Sequence, residues 1–78
     1  MKLPRGISAD RLIQALERIG YEIVRQRGSH IRLQHPGPPA HAVTVPRHRP
    51  LRVGTLHSIL NEVAQQRSTT LEAIVEQI

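Results

Sequence analysis

The run HIRLQ, residues 30–34, alternates without exception. Ile31 and Leu33 fall on one side of an extended chain, and His30, Arg32 and Gln34 on the other. This pattern requires a strand buried on one face only, hence a sheet packed on one side and wet on the other. The preceding run, Tyr21 to Arg27, reads as a second strand in which Tyr21, Ile23, Arg25 and Arg27 share one parity. Gly28-Ser29 between the two supplies a hairpin turn. Val43 and Val45 mark a third strand, ended by Pro46. The segment HPGPPAH, His35 to His41, reads as a loop because three prolines and a glycine cannot hold a ladder.

Helical periodicity brackets this sheet. Ser8 is placed to cap a helix with Asp10 in its first turn, followed by Leu12, Ala15, Leu16 and Ile19 at helical spacing and a stop at Gly20. After the basic connector RHRPLRVGT, the residues Leu56, Ile59, Leu60 and Val63 form the apolar stripe of a second helix. A last helix follows, with capping-box spacing at Thr69 and Glu72 ahead of Leu71, Ile74, Val75 and Ile78. The order α-β-β-β-α predicts an α+β fold with the helices on one face of a three-stranded antiparallel sheet, plus a short C-terminal helix over about 69–78. Double-stranded-RNA-binding domains share that order. A chain of 78 residues is expected to be a single domain, 1–78.

Composition narrows the function. With no cysteine, disulfides, thiolate metal sites and cysteine nucleophiles are excluded. Tyr21 is the only aromatic residue, so the core must be aliphatic, and binding of single strands by serial base stacking has no basis. Lys and Arg number 11 against 6 Asp and Glu, and all but Lys2 are arginine. Arginine favours planar, bidentate phosphate contacts, so nucleic acid is the expected partner. The start MKLPRG has no apolar leader and no apolar run approaches a membrane span, so a cytoplasmic location without membrane contact is expected.

Three motifs in register with these elements carry a resemblance. Gly28-Ser29-His30 opens the second strand, Val43-Thr44-Val45-Pro46 with His48 leaves the third, and Gly54-Thr55-Leu56 with Ile59-Leu60 opens the second helix. In this combination the chain resembles the HicA family of bacterial toxins over about residues 8–66. The resemblance implies an endoribonuclease, an mRNA interferase of a type II toxin–antitoxin system acting in stress responses, of double-stranded-RNA-binding-domain-like fold. It further implies an mRNA substrate and a HicB-type antitoxin partner, and it puts the catalytic histidine at His30. Ile31, Arg32 and Leu33 stand where the family often has aromatic residues or further histidines, a departure that bears on substrate preference more than on the reaction.

The residues support such chemistry on their own terms. RNA carries its nucleophile, the 2′-OH, so a catalyst has only to remove one proton, steady the phosphate and protonate the leaving oxygen. Histidine as a residue type titrates near ~6.5 and serves as base or acid at neutral pH. Arg27 and Arg32 are placed to hold the phosphate, while Gly28 and Ser29 let the backbone approach it. The residues alone do not name the second acid/base group; the resemblance offers His48, which lies in the matched segment after Val45-Pro46, with a loop-capping or phosphate-contact role equally open. Arg47, Arg49 and Arg52 surround the start of the second helix as a phosphate-binding edge. No metal or other cofactor is expected. His30 and His35 have a spacing seen among zinc ligands, but five steps along a strand put them on opposite faces. His41 belongs to the loop, His57 to the polar side of the second helix, and Asp10, Glu17, Glu22, Glu62, Glu72 and Glu76 form no evident catalytic pair.

The sequence leaves a non-catalytic RNA-binding module open as the alternative. It leaves open also whether the C-terminal helix packs on its own domain or makes a homodimer contact.

Overall fold

The computed structural model describes residues 3–78; Met1 and Lys2 lie outside the described residues. In chain order the elements are α1 (Ala9–Arg18), β1 (Glu22–Arg27), β2 (His30–His35), β3 (His41–Pro46), α2 (Val53–Gln66) and α3 (Leu71–Val75). The strands form one antiparallel sheet in the order β1-β2-β3. A shortest dimension of 18 Å corresponds to two layers, one sheet and one sheet's worth of helices.

The core is a single cluster, aliphatic apart from Tyr21. Leu12, Ile13 and Leu16 of α1 and Leu56, Ile59, Leu60 and Val63 of α2 pack with Ile31 and Leu33 of β2 and Val43 and Val45 of β3. Ile31 and Leu33 are buried while His30, Arg32 and Gln34 are exposed, as the alternation requires. Burial of side chains such as Leu12, Leu33 and Leu60, each 0% exposed, stabilises the fold by roughly 1.5–3 kcal/mol apiece. Ser8 caps α1 by accepting a hydrogen bond from the Arg11 N–H at 3.2 Å. Gly20 ends that helix with a φ of +106°, and a Cβ there would meet the His35 ring at 2.6 Å, so both conformation and space require glycine.

Four local expectations are corrected. Tyr21, Ile23, Arg25 and Arg27 do not share one face, because a bulge interrupts β1 between Ile23 and Arg25. Ile23 pairs with Leu33 on the helix side, whereas Arg25 pairs with Arg32 and Arg27 with His30 on the open side. His41 is not a loop residue; it opens β3 opposite His35, so the Pro-rich loop spans only residues 36–40. The second helix begins at Val53, one turn earlier than its apolar stripe suggests. Thr70 rather than Thr69 caps α3, accepting from the Ala73 N–H at 3.1 Å, so the capping box with Glu72 does not form.

The helix α3 docks on its own domain. Ile74 is buried in the core, and Leu71, Val75 and Ile78 lie partly buried against it. Arg11 and Arg18 of α1 donate to the Ile78 and Gln77 carbonyls, fastening this segment to the first helix.

Candidate nucleic-acid interface

The open face of the sheet is a grid fixed by strand register. One row runs Arg27, His30, Pro46 and the next Arg25, Arg32, Thr44. Paired residues stand about 5 Å apart across a ladder, and neighbouring rows about 6–7 Å apart along a strand. Arg25, Arg27, His30, Arg32 and Thr44 line a shallow hollow of about 330 Å³. Each of these elements of the site follows from local sequence. Gly28, with a φ of +57°, is the first-position glycine of the two-residue turn that sets Arg27 opposite His30. The bulge at Val24 then returns Arg25 to the same face.

Electrostatically the hollow is unbalanced. Arg25 sits directly opposite Arg32, an arrangement that costs a sheet about 0.2–1 kcal/mol when like charges meet. Arg32 donates to the Thr44 hydroxyl at 3.0 Å, which steers its guanidinium across the strands. Among the described residues, none of Arg25, Arg27 and Arg32 is in an ion pair with a carboxylate. Three guanidiniums without carboxylate partners and one exposed imidazole line this hollow, a set of groups with the chemistry to hold an anion and to move a proton.

His48, Arg47 and Arg49 occupy a second hollow, lined also by Ser8 and Asp10. Asp10 faces Arg47 at 3.4 Å and Arg49 at 3.9 Å, exposed pairs of the kind worth little. The His48 carbonyl accepts from the Ala9 N–H at 3.2 Å. The two hollows are joined through the backbone, since the Arg47 N–H donates to the Ser29 carbonyl at 2.6 Å. Arg52 is the N-cap residue of α2 and gives no side-chain cap, so the helix start is left bare.

The remaining histidines take other places. Strand β2 persists to His35, which therefore faces the helices while His30 faces solvent. The Gly37 N–H donates to His35 Nδ1 at 2.9 Å, so Nε2 carries the proton and donates to the Ile19 carbonyl at 3.1 Å. Arg67 also reaches His35 Nδ1 and the Pro39 carbonyl. His41 Nδ1 accepts from the Tyr21 hydroxyl at 2.7 Å, and its Nε2 meets Glu62 at 2.9 Å. Burial raises the Tyr21 pKa above its ordinary value, and the Glu62 carboxylate adds to this while the Arg67 guanidinium opposes it. The phenol therefore stays a donor at neutral pH. His57 is exposed on α2. No group of three or more metal-ligating side chains forms among the described residues.

Two residues of the hollow escaped the sequence pattern, Arg25 and Thr44. The signal for Arg25 was the adjacent pair Ile23-Val24, two β-branched residues in a row that break strict alternation and mark the bulge. Thr44 becomes visible only when β3 is set in register against β2.

Residues 9–64, most of the chain, match the family described as the HicA toxin of bacterial toxin–antitoxin systems. No curated protein and no solved structure matches the chain. Among the described residues, no helix is long and apolar enough to cross a membrane.

Proposed function

Because this chain belongs to the HicA toxin family, and so is a toxin of a bacterial toxin–antitoxin pair, we propose that it is a metal-independent endoribonuclease acting on mRNA through His30. The observation that carries this reading is the exposed imidazole that lines one hollow together with Arg25, Arg27, Arg32 and Thr44. His30 takes the proton from a 2′-OH, and the freed oxygen attacks the adjacent phosphorus. The bond from phosphorus to the 5′ oxygen breaks, leaving a 2′,3′-cyclic phosphate and a 5′-OH that takes up one proton. Arg27, opposite His30, and Arg32, two residues along, hold the phosphate oxygens and offset their developing charge. Arg25 adds a third guanidinium from across the ladder. Gly28 and Ser29 let the turn approach the backbone of the substrate.

His48 is assigned to the leaving oxygen. Its support is the bond from the Arg47 N–H to the Ser29 carbonyl, which holds the chain next to His48 beside the turn that leads into His30. Arg47, Arg49 and Arg52 extend the basic surface toward the bare start of α2, where the substrate backbone continues. The protein partner is a HicB-type antitoxin, and the pair acts in the cytoplasm.

The test is cleavage of a defined RNA by the purified protein and by its His30→Ala variant, both in EDTA. Wild-type cleavage to cyclic phosphate ends, with a loss of about 10²–10⁴-fold in the variant, is expected for removal of a general base. If neither protein cuts yet both bind RNA with a steep salt dependence, the chain is an RNA-binding module instead.

A further inference from the structure

The strand β1 is an open edge of the sheet, and each of its six residues is exposed. Ile23 points to the helix side, opposite fully buried Leu33, yet it remains 48% exposed. The helix layer therefore stops short of β1. Val24, in the bulge, is 51% exposed beside it. An apolar pair thus sits on an edge whose open-face side chains are Arg25 and Arg27, both walls of the His30 hollow.

The register fixes what this edge offers. Arg27 and His30 flank the two-residue turn and direct their backbone groups at each other. Gln26 must then direct its N–H and C=O outward, away from β2. A second copy of this chain is a poor occupant, because antiparallel pairing of two β1 edges would bring four arginines together. An acidic strand meets no such repulsion.

From this we propose that β1 is the docking edge for an extended, acidic segment of a partner protein, added to the sheet as a fourth strand. Backbone groups at Gln26 supply the ladder, Ile23 and Val24 take an apolar side chain, and carboxylates on the open face lie against Arg25 and Arg27. The segment thereby closes one side of the His30 hollow and competes with phosphate for its arginines. This inference rests on reading the His30 face as the working site.

The probe is a ten-residue peptide alternating Val and Glu, compared with its Val and Lys counterpart. Amide hydrogen exchange and chemical shifts are followed on the full chain, and RNA cleavage is measured in parallel. The acidic peptide is expected to protect the Gln26 amide and to bind about tenfold or more tighter than the basic one. Val24→Glu is expected to weaken that binding about tenfold while leaving cleavage intact, and Gln26→Pro, which removes the outward donor, to weaken it similarly. Protection at Gln26 without any RNA cleavage upholds the docking edge while the nuclease reading fails. Cleavage without protection overturns the docking edge alone. Equal binding of both peptides, binding confined to the His30 hollow, or concentration-dependent pairing of the chain with itself would each overturn it.

Discussion

His30 and His35 end the same strand, and their surroundings are opposites. At the His35 end, both ring nitrogens are hydrogen-bonded, one of them to Arg67, and the Tyr21 ring of a second hydrogen-bonded set, Tyr21–His41–Glu62, packs edge-on against the His35 ring. At the His30 end, the side chain is exposed and its charged neighbours are all of one sign. Histidine alone therefore says nothing about chemistry in this chain. Where both ring nitrogens find partners inside the fold, the residue holds two layers together. Where like charges are gathered without carboxylates, the protein has left a balance for something else to complete.

The contrast is broken most directly by exchanging the losses. His30→Ala is expected to lower RNA cleavage about 10²–10⁴-fold while leaving the melting temperature unchanged, since an exposed strand residue carries little stability. His41→Ala should do the reverse. It strands the Tyr21 hydroxyl, costing about 1–3 kcal/mol, while cleavage per folded molecule holds. At roughly 4–8 °C per kcal/mol for a domain of this size, calorimetry resolves that easily. A His41→Ala protein that melts normally but no longer cuts would erase the distinction between the two ends.

What the sequence could reveal of this contrast follows from the range of each signal. The alternation at Ile31 and Leu33 placed His30 and Arg32 in solvent, and helical spacing at Leu12, Leu16, Leu56 and Leu60 placed the covering layer. These are local patterns with one solution. The role of His41 was hidden because composition across PGPPA suggests a loop, whereas the strand is fixed by pairing with His35 across that loop. Arg25 was assigned to the wrong company because a bulge shifts parity by one residue, and only the partner strand shows where the shift falls. Thr69 and Thr70 offer the same hydroxyl chemistry one residue apart, so the choice between them depends on how the turn at Ser68, with a φ of +53°, delivers the chain. The contributions of Thr44 and Arg67 are likewise nonlocal.

Arg25 sharpens the comparison on the open side, with effects of opposite sign. Arg25→Ala relieves the like-charge pair with Arg32 and should stabilise the fold by up to about 0.2–1 kcal/mol. The same change should reduce the slope of log affinity against log salt for single-stranded RNA by about 0.7, the loss of one phosphate contact. A variant that is less stable and binds RNA with an unchanged slope would mean that Arg25 serves packing rather than the substrate.

The smallest effect lies at the closed end and has a clean reporter, because Tyr21 is the only tyrosine. Burial raises its pKa in the folded protein above the unfolded value of ~10. A raised folded value contributes stability that is fully present below the unfolded pKa and is lost as pH rises through the folded one. The loss should therefore begin above about pH 10 and appear as phenolate absorbance rising together with unfolding. Tyr21→Phe keeps the buried ring but removes the donor to His41 Nδ1, so it should cost about 0.5–1.5 kcal/mol at neutral pH and abolish this alkaline component. Should Tyr21 instead ionise near ~10 in protein that stays folded, the phenol is open to water, and the two ends of β2 differ less than their hydrogen bonds imply.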